Sequence, residues 1–289
     1  MPTVSRGEAD IWYRDDGDGL PVLLLHGGLF DSMDGERFWW DAGVGPDIVA
    51  RGYRVLTPDR RYGGGRTSAP FAVHDWDVEV ADVTAVLNHA GVARATVIAG
   101  SNGCSAALRF ALVAPLRVAG LVLCWPVAPD NDLLRQAFAR SAGYMSRNGP
   151  TAYFERLRED GVPVPGEQRA GFAFGLALLK DERAARTFLA CRRQEAAGIV
   201  GATADGLFTG DLLRGIDAAA VDHLESRNVW IVPPRPASAH HRYETAKALS
   251  EALPAATLTA PFPLAPSADF AESRAAFGEM LADLLAQVR

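Results

Sequence analysis

An α/β fold is predicted by three features of the sequence. Short aliphatic or β-branched runs recur along the chain, helical stretches separate them, and the runs are continuously apolar. Runs of that kind suit strands buried on both faces, as in a parallel sheet covered by helices. With 289 residues, 48% hydrophobic and 22% charged, the chain is long enough to bury a substantial core and has an ordinary globular composition.

The opening segment TVSRGEADIWYRDDGDG reads as two antiparallel edge strands ending in a Gly/Asp turn. Further strands are expected at PVLLLHG (21–27), YRVLTPD (53–59), ATVIAG (95–100), VAGLVLC (118–124), NVWIVPP (228–234) and ATLTA (256–260). Covering helices are expected over 75–90, 101–114, 240–253 and 271–288, several of them closed by Gly or Pro. Between Cys124 and Asn228 the strand rhythm stops, and 132–215 reads mainly as helices broken at Gly149-Pro150 and at GVPVPGE (161–167). Such an insertion between two sheet strands is expected to form a cap. The expected division is a core of 1–125 and 216–289 and a helical cap of 126–215.

The net charge of −6 argues against nucleic acid as a partner. No apolar run approaches the roughly 18 residues that span a bilayer, and no leader pattern opens the chain, so a cytoplasmic protein that does not enter membranes is expected. Cys104, Cys124 and Cys191 are too few and too scattered for a disulfide framework or a zinc site. No metal, nucleotide or flavin signature stands out; the expectation is no cofactor and a small-molecule partner.

In open parallel sheets ligands bind beyond the carboxyl ends of the strands. After ATVIAG, the residues Ala99-Gly100-Ser101-Asn102-Gly103 match small-x-nucleophile-x-small, the pattern of a strained strand-to-helix turn. Ser105 fits the bare pattern too, but it would lie a turn inside the helix. After VLLL comes His26-Gly27-Gly28-Leu29, a tight turn able to aim backbone N–H groups at the space above Ser101. PDRRYGGGRTS (58–68) supplies a flexible turn after another strand and lacks the Walker lysine of a phosphate cradle.

Together, LLLHGG, PDRRYGGGRTS, AGSNG and the following AALRFA…P…VAGLVL resemble the α/β-hydrolase superfamily in order and spacing. The resemblance implies an α/β-hydrolase fold: an eight-stranded, mostly parallel sheet flanked by helices, with a helical cap. It also implies Ser101 at the nucleophile elbow and an oxyanion hole built from the backbone of Gly28 or Leu29 together with Asn102.

The family activates its serine with a histidine oriented by a carboxylate, in chain order Ser, acid, His. The family spacing puts Ala237 at the acid position, and no Asp or Glu occurs between Val232 and Arg242. Some members carry the acid after the preceding strand; here that position holds Trp125, with Asp130 and Asp132 further on. The histidine position falls at Ser267, and no histidine follows His241. A degenerate triad is therefore expected. Of the other histidines, His26 is expected to bond backbone, and His74, His89 and His223 to be structural or superficial. His240 and His241 open a helix bordering the pocket, and His240 is taken as the nearby proton shuttle.

Losing a triad histidine costs about 10⁶ in rate in a model protease. The leading expectation is accordingly a non-hydrolytic enzyme, a cyclase, lyase or isomerase acting on a mainly apolar small metabolite. Phe30, Trp39, Trp40 and Trp125 are candidate pocket aromatics, of which Phe30, Trp39 and Trp125 are taken as substrate-binding. Arg60, Arg61 and Arg66 either bind a substrate carboxylate or form a solvated face. Two alternatives stand beside this: a serine hydrolase of esters, epoxides or C–C bonds with His240 or His241 as a relocated base, and a non-catalytic ligand-binding protein.

Overall fold

The computed structural model describes residues 2–30, 33–63, 66–129, 132–161, 173–222, 224, 228–253 and 255–288. Its strands are β1 (Thr3–Arg6), β2 (Ala9–Asp16), β3 (Leu20–Leu25), β4 (Tyr53–Pro58), β5 (Ala95–Gly100), β6 (Val118–Cys124), β7 (Val229–Val232) and β8 (Ala256–Leu258). They form one eight-stranded sheet in the order β1-β2-β4-β3-β5-β6-β7-β8. β1 and β2 run antiparallel at one edge, and every pair from β3–β4 onward is parallel.

The unbroken apolar runs have a simple cause: successive side chains serve two cores. Leu23, Leu25, Val97, Leu121, Leu123 and Ile231 point into one. Val22, Leu24, Ile98, Val122 and Val232 point into the other. The first core is closed by α2 (Trp76–His89), α3 (Gly103–Val113) and α9 (Tyr243–Ala252), the second by α1 (Val44–Ala50) and α10 (Ala268–Gln287). A strand buried on both faces has no polar side to display.

α1 lies outside the helices expected from the sequence. It carries Gly45 and Pro46, which read as helix breakers, but both lie in the first turn, where a missing N–H costs nothing.

Between β6 and β7 lie α4 (Asp132–Asp160), α5 (Ala173–Lys180), α6 (Glu182–Ala190) and α7 (Arg193–Leu207), with the short α8 (Ala218–Val221) just before β7. α4 is kinked where expected: Gly149 has φ 90° and Pro150 follows it. The break expected at GVPVPGE lies, apart from Gly161, outside the described residues. α6 is tied to the core through Asp181, which caps the helix by accepting from Arg183 N–H at 3.0 Å and Ala184 N–H at 3.2 Å. The same carboxylate accepts from Ser68 Oγ and from Ala69 N–H, each at 2.9 Å. Among the described residues no helix is long and apolar enough to cross a membrane.

Candidate functional site

The site is assembled at the carboxyl ends of β3, β5 and β7. Ser101 follows β5 directly, with φ 56°, a left-handed conformation that costs a non-glycine residue strain. Hydrogen bonds hold it there: its N–H donates to Cys124 O at 2.9 Å, and its carbonyl accepts from Cys104 N–H at 3.0 Å. The small neighbours are steric necessities. A Cβ on Gly103 would lie 2.6 Å from Leu25 O, and one on Gly27 would lie 2.7 Å from the Ser101 Cβ. Ser105 is buried inside α3 and presents no hydroxyl at the strand end.

The turn after β3 is fixed from below. Gly28 has φ 76°. His26 donates from Nδ1 to Gly27 O at 2.7 Å and accepts the Arg60 N–H on Nε2 at 3.1 Å. Burial, followed by the Arg60 charge, pushes the His26 pKa down to about 4, so the ring is neutral. Arg60 Nη1 donates to Gly28 O at 2.7 Å, while its Nε and Nη2 grip Glu79 at 2.7 and 2.5 Å. His74 Nε2 lies 3.0 Å from the same carboxylate. Burial works against the Glu79 charge, but Arg60 and His74 outweigh it and hold the pKa at about 2. The backbone expected to form an oxyanion hole is thus braced by a buried ion pair. On the opposite side, Asn102 opens α3, whose N-terminal dipole favours negative charge beside Ser101.

The histidine at the serine is His241. Its Nε2 lies 2.9 Å from Ser101 Oγ. For Nε2 to accept the Ser101 proton, Nδ1 must carry the ring hydrogen, and Ser238 Oγ faces Nδ1 at 3.4 Å. The Ser238 hydroxyl also accepts the His241 N–H at 3.1 Å, and Ser238 N–H donates to His241 O at 2.8 Å. This small turn presents the ring to the elbow. Burial, then the charges of His240 and Arg214, lowers the His241 pKa to about 4. The ring is a neutral acceptor at pH 7.

The expectation that His240 serves Ser101 is corrected by this geometry. The His240 side chain is exposed, and its carbonyl is held by Ala128 N–H at 2.9 Å. The missing histidine is thus supplied one residue along. Among the described residues no Asp or Glu is hydrogen-bonded to His241. Ala237 is exposed, Asp130 lies outside the described residues and Asp132 is exposed at the start of α4. Ser267 caps α10, accepting Phe270 N–H at 3.0 Å.

The other histidines have separate partners: His74 is engaged as above, His89 Nδ1 lies 2.8 Å from the Tyr13 hydroxyl, and His223 is outside the described residues.

The three aromatic residues taken as substrate-binding are core residues. Trp39 and Trp125 are each 0% exposed and stack on one another at 6.3 Å in the α10-side core. Trp125 donates to Phe262 O at 3.0 Å. Trp40 donates to Thr57 Oγ1 at 3.0 Å beneath the Arg14 guanidinium. Residue type gave no sign of which sheet face these rings would take. Phe30 is also buried, in the other core, where it packs against Phe138 of α4 at 5.6 Å and lines a cavity of ≈ 10 Å³ with Gly28, Leu29 and His74. The three arginines neither face solvent freely nor await a ligand. Arg60 holds Glu79, Arg61 grips Asp82 at 2.6 and 2.9 Å, and Arg66 grips Asp59 at 2.6 and 3.1 Å.

The sequence matches the model of the alpha/beta hydrolase fold family over residues 21–211. It is 36% identical over 161 residues to a non-heme haloperoxidase of Rhodococcus erythropolis, a match covering 55% of this chain and 53% of that protein. It is 31% identical over 175 residues to a 2-hydroxy-6-oxo-6-phenylhexa-2,4-dienoate hydrolase of Burkholderia cepacia, covering 60% of this chain and 56% of that protein. The chain spans about half the length of the curated relatives it matches. A solved thermophilic esterase from Thermogutta terrifontis superposes with a TM-score of 0.62 at 21% identity, covering 99% of this chain and 98% of that one. At that identity the likeness establishes the fold alone.

Proposed function

Because the chain belongs to the α/β hydrolase fold family, we propose that it is a serine hydrolase of small esters in which Ser101 is the nucleophile and His241 the base. The contact of 2.9 Å between Ser101 Oγ and His241 Nε2 carries this reading. The Ser101 oxygen attacks the ester carbonyl as its proton passes to Nε2. The developing oxyanion is taken up by backbone N–H groups of Asn102 and of Gly28 or Leu29. The imidazolium then protonates the leaving alkoxide, and water repeats the sequence on the acyl-enzyme. An epoxide offers no carbonyl oxygen to those donors, so an acyl substrate fits better. The segment 126–215 is read as the cap of this site.

The neutral, serine-bonded imidazole and the hydrolases among the matched relatives favour this reading over non-hydrolytic cyclase or lyase chemistry. A hydroxyl at Ser238 is a weak substitute for a carboxylate, since changing the triad aspartate to asparagine lowers kcat by about 10⁴ in a serine protease. A slow esterase is expected. Turnover of p-nitrophenyl butyrate tests it: Ser101→Ala and His241→Ala should each lose about 10²-fold or more, while His240→Ala keeps most of the rate. Wild-type turnover by His241→Ala would refute the assignment.

A further inference from the structure

Arg214 joins the segment inserted after β6 to the reacting centre. It is 5% exposed, and its Nη1 donates to Asn102 Oδ1 at 2.9 Å. The turn that carries it is itself held tightly. Leu212 and Leu213 N–H donate to Ile216 O at 3.1 and 3.2 Å, Ile216 N–H returns to Leu213 O at 3.0 Å, and Gly215 N–H donates to Thr209 O at 2.6 Å. Gly215, at φ 73°, lies against the Trp76 ring, where a Cβ would meet Cδ1 at 2.0 Å. The guanidinium is therefore presented from a fixed turn to the one residue that both follows Ser101 and opens α3.

We propose that Arg214 is a positioning residue for this site: by holding the Asn102 side chain it locks the adjoining peptide, and with it the N–H beside Ser101, to the inserted segment. This rests on the hydrolase reading above. A displacement of an ångström in such a donor costs about 10²-fold in rate, so a tether on its side chain has a kinetic consequence. The charge of Arg214 has a second effect, since it disfavours the protonated form of His241. Among the described residues the charged or titratable groups acting on that ring are His240 and Arg214, and its polar contacts are Ser101 and Ser238. Orientation and charge can be separated by substitution.

The test is the rate at which a fluorophosphonate labels Ser101 in the full chain between pH 4 and 8, with thermal unfolding as a check on folding. Arg214→Met should lower the plateau rate by about tenfold or more and move the acid limb upward, toward but not reaching the ordinary imidazole value. Arg214→Lys keeps the charge, so it should restore the acid limb and leave the plateau low. Asn102→Ala should lower the plateau and leave the acid limb in place, and the double variant Asn102→Ala/Arg214→Met should label no more slowly than Arg214→Met alone. Wild-type labelling by Arg214→Met, or losses that multiply in the double variant, would overturn the inference while leaving the hydrolase reading standing. Failure of the wild-type chain to label would overturn both.

Discussion

Among the described residues the polar group facing His241 Nδ1 is the Ser238 hydroxyl, and that contact bears on how His241 behaves. A hydroxyl at 3.4 Å from Nδ1 fixes the ring loosely and adds no negative charge. Burial then dominates, followed by the electrostatic effects of His240 and Arg214, and the pKa falls to about 4. The base should therefore remain available well below neutrality: ester turnover should stay level from pH 8 to about pH 5 and fall only as the pH drops through about 4. An acid limb near 6.5 in a pH–rate profile would contradict this. Ser238→Asp would place a negative charge beside Nδ1. Turnover should rise by about tenfold or more, short of the roughly 10⁴ a full triad aspartate contributes, and the acid limb should move up, because a carboxylate beside Nδ1 favours the imidazolium. Ser101 was legible in the sequence because its turn tolerates only small residues at fixed offsets, as the Leu25 carbonyl pressed on Gly103 demonstrates. The choice between His240 and His241 was not legible. The turn that presents His241 is set by its own bonds to Ser238 and by the hydrogen bond from Ala128, a residue more than a hundred positions away, to the His240 carbonyl.

At the scale of elements, the oxyanion turn and the inserted helices are each held by one buried carboxylate. Glu79 on α2 pairs with Arg60, both nearly excluded from solvent, and Arg60 carries Gly28 O. Glu79→Gln would leave the guanidinium buried with its charge uncompensated. A loss of about 3 kcal/mol or more in chemical denaturation is expected, together with slower turnover as the Gly28 turn loosens. Asp181 gathers four donors from two parts of the chain, its own helix and the Ser68–Ala69 segment. Asp181→Ala should cost about 2 kcal/mol or more, above the roughly 1 kcal/mol of an ordinary helix cap, and proteolysis should then begin in the inserted helices before the sheet. The strands and most covering helices could be read from periodicity, since each is a local pattern. These carboxylate pairings could not, because Arg60 and Glu79, or Ser68 and Asp181, meet only once the chain has folded. That is why PDRRYGGGRTS suggested ligand-binding or solvated arginines when its side chains brace the core.

For the whole molecule, two neutral histidines link stability to pH. His26 and His241 both have folded pKa values near 4 against an ordinary value of 6.5. The unfolded chain therefore binds more protons below pH 6.5, so stability should decline as the pH falls from about 6.5 to about 4 and level off with respect to these groups below that. For the fully buried His26 the loss is on the order of a few kcal/mol, measurable by urea denaturation at pH 7 and pH 4.5. A flat stability profile across that window would show that these rings take up protons without cost. The sheet that carries them places the carboxyl ends of β3, β5 and β7 on one edge, with β6 between β5 and β7, which is how residues as distant as Gly28, Ser101 and His241 come to share one site. The pairing of Ser101 with His241 is the point on which the functional account turns, and mass-mapped fluorophosphonate labelling at pH 7 tests it most directly. A single adduct on Ser101 is expected in the wild-type chain, retained in His240→Ala and lost in His241→Ala. Equal labelling of His241→Ala, or an adduct on another serine, would contradict it.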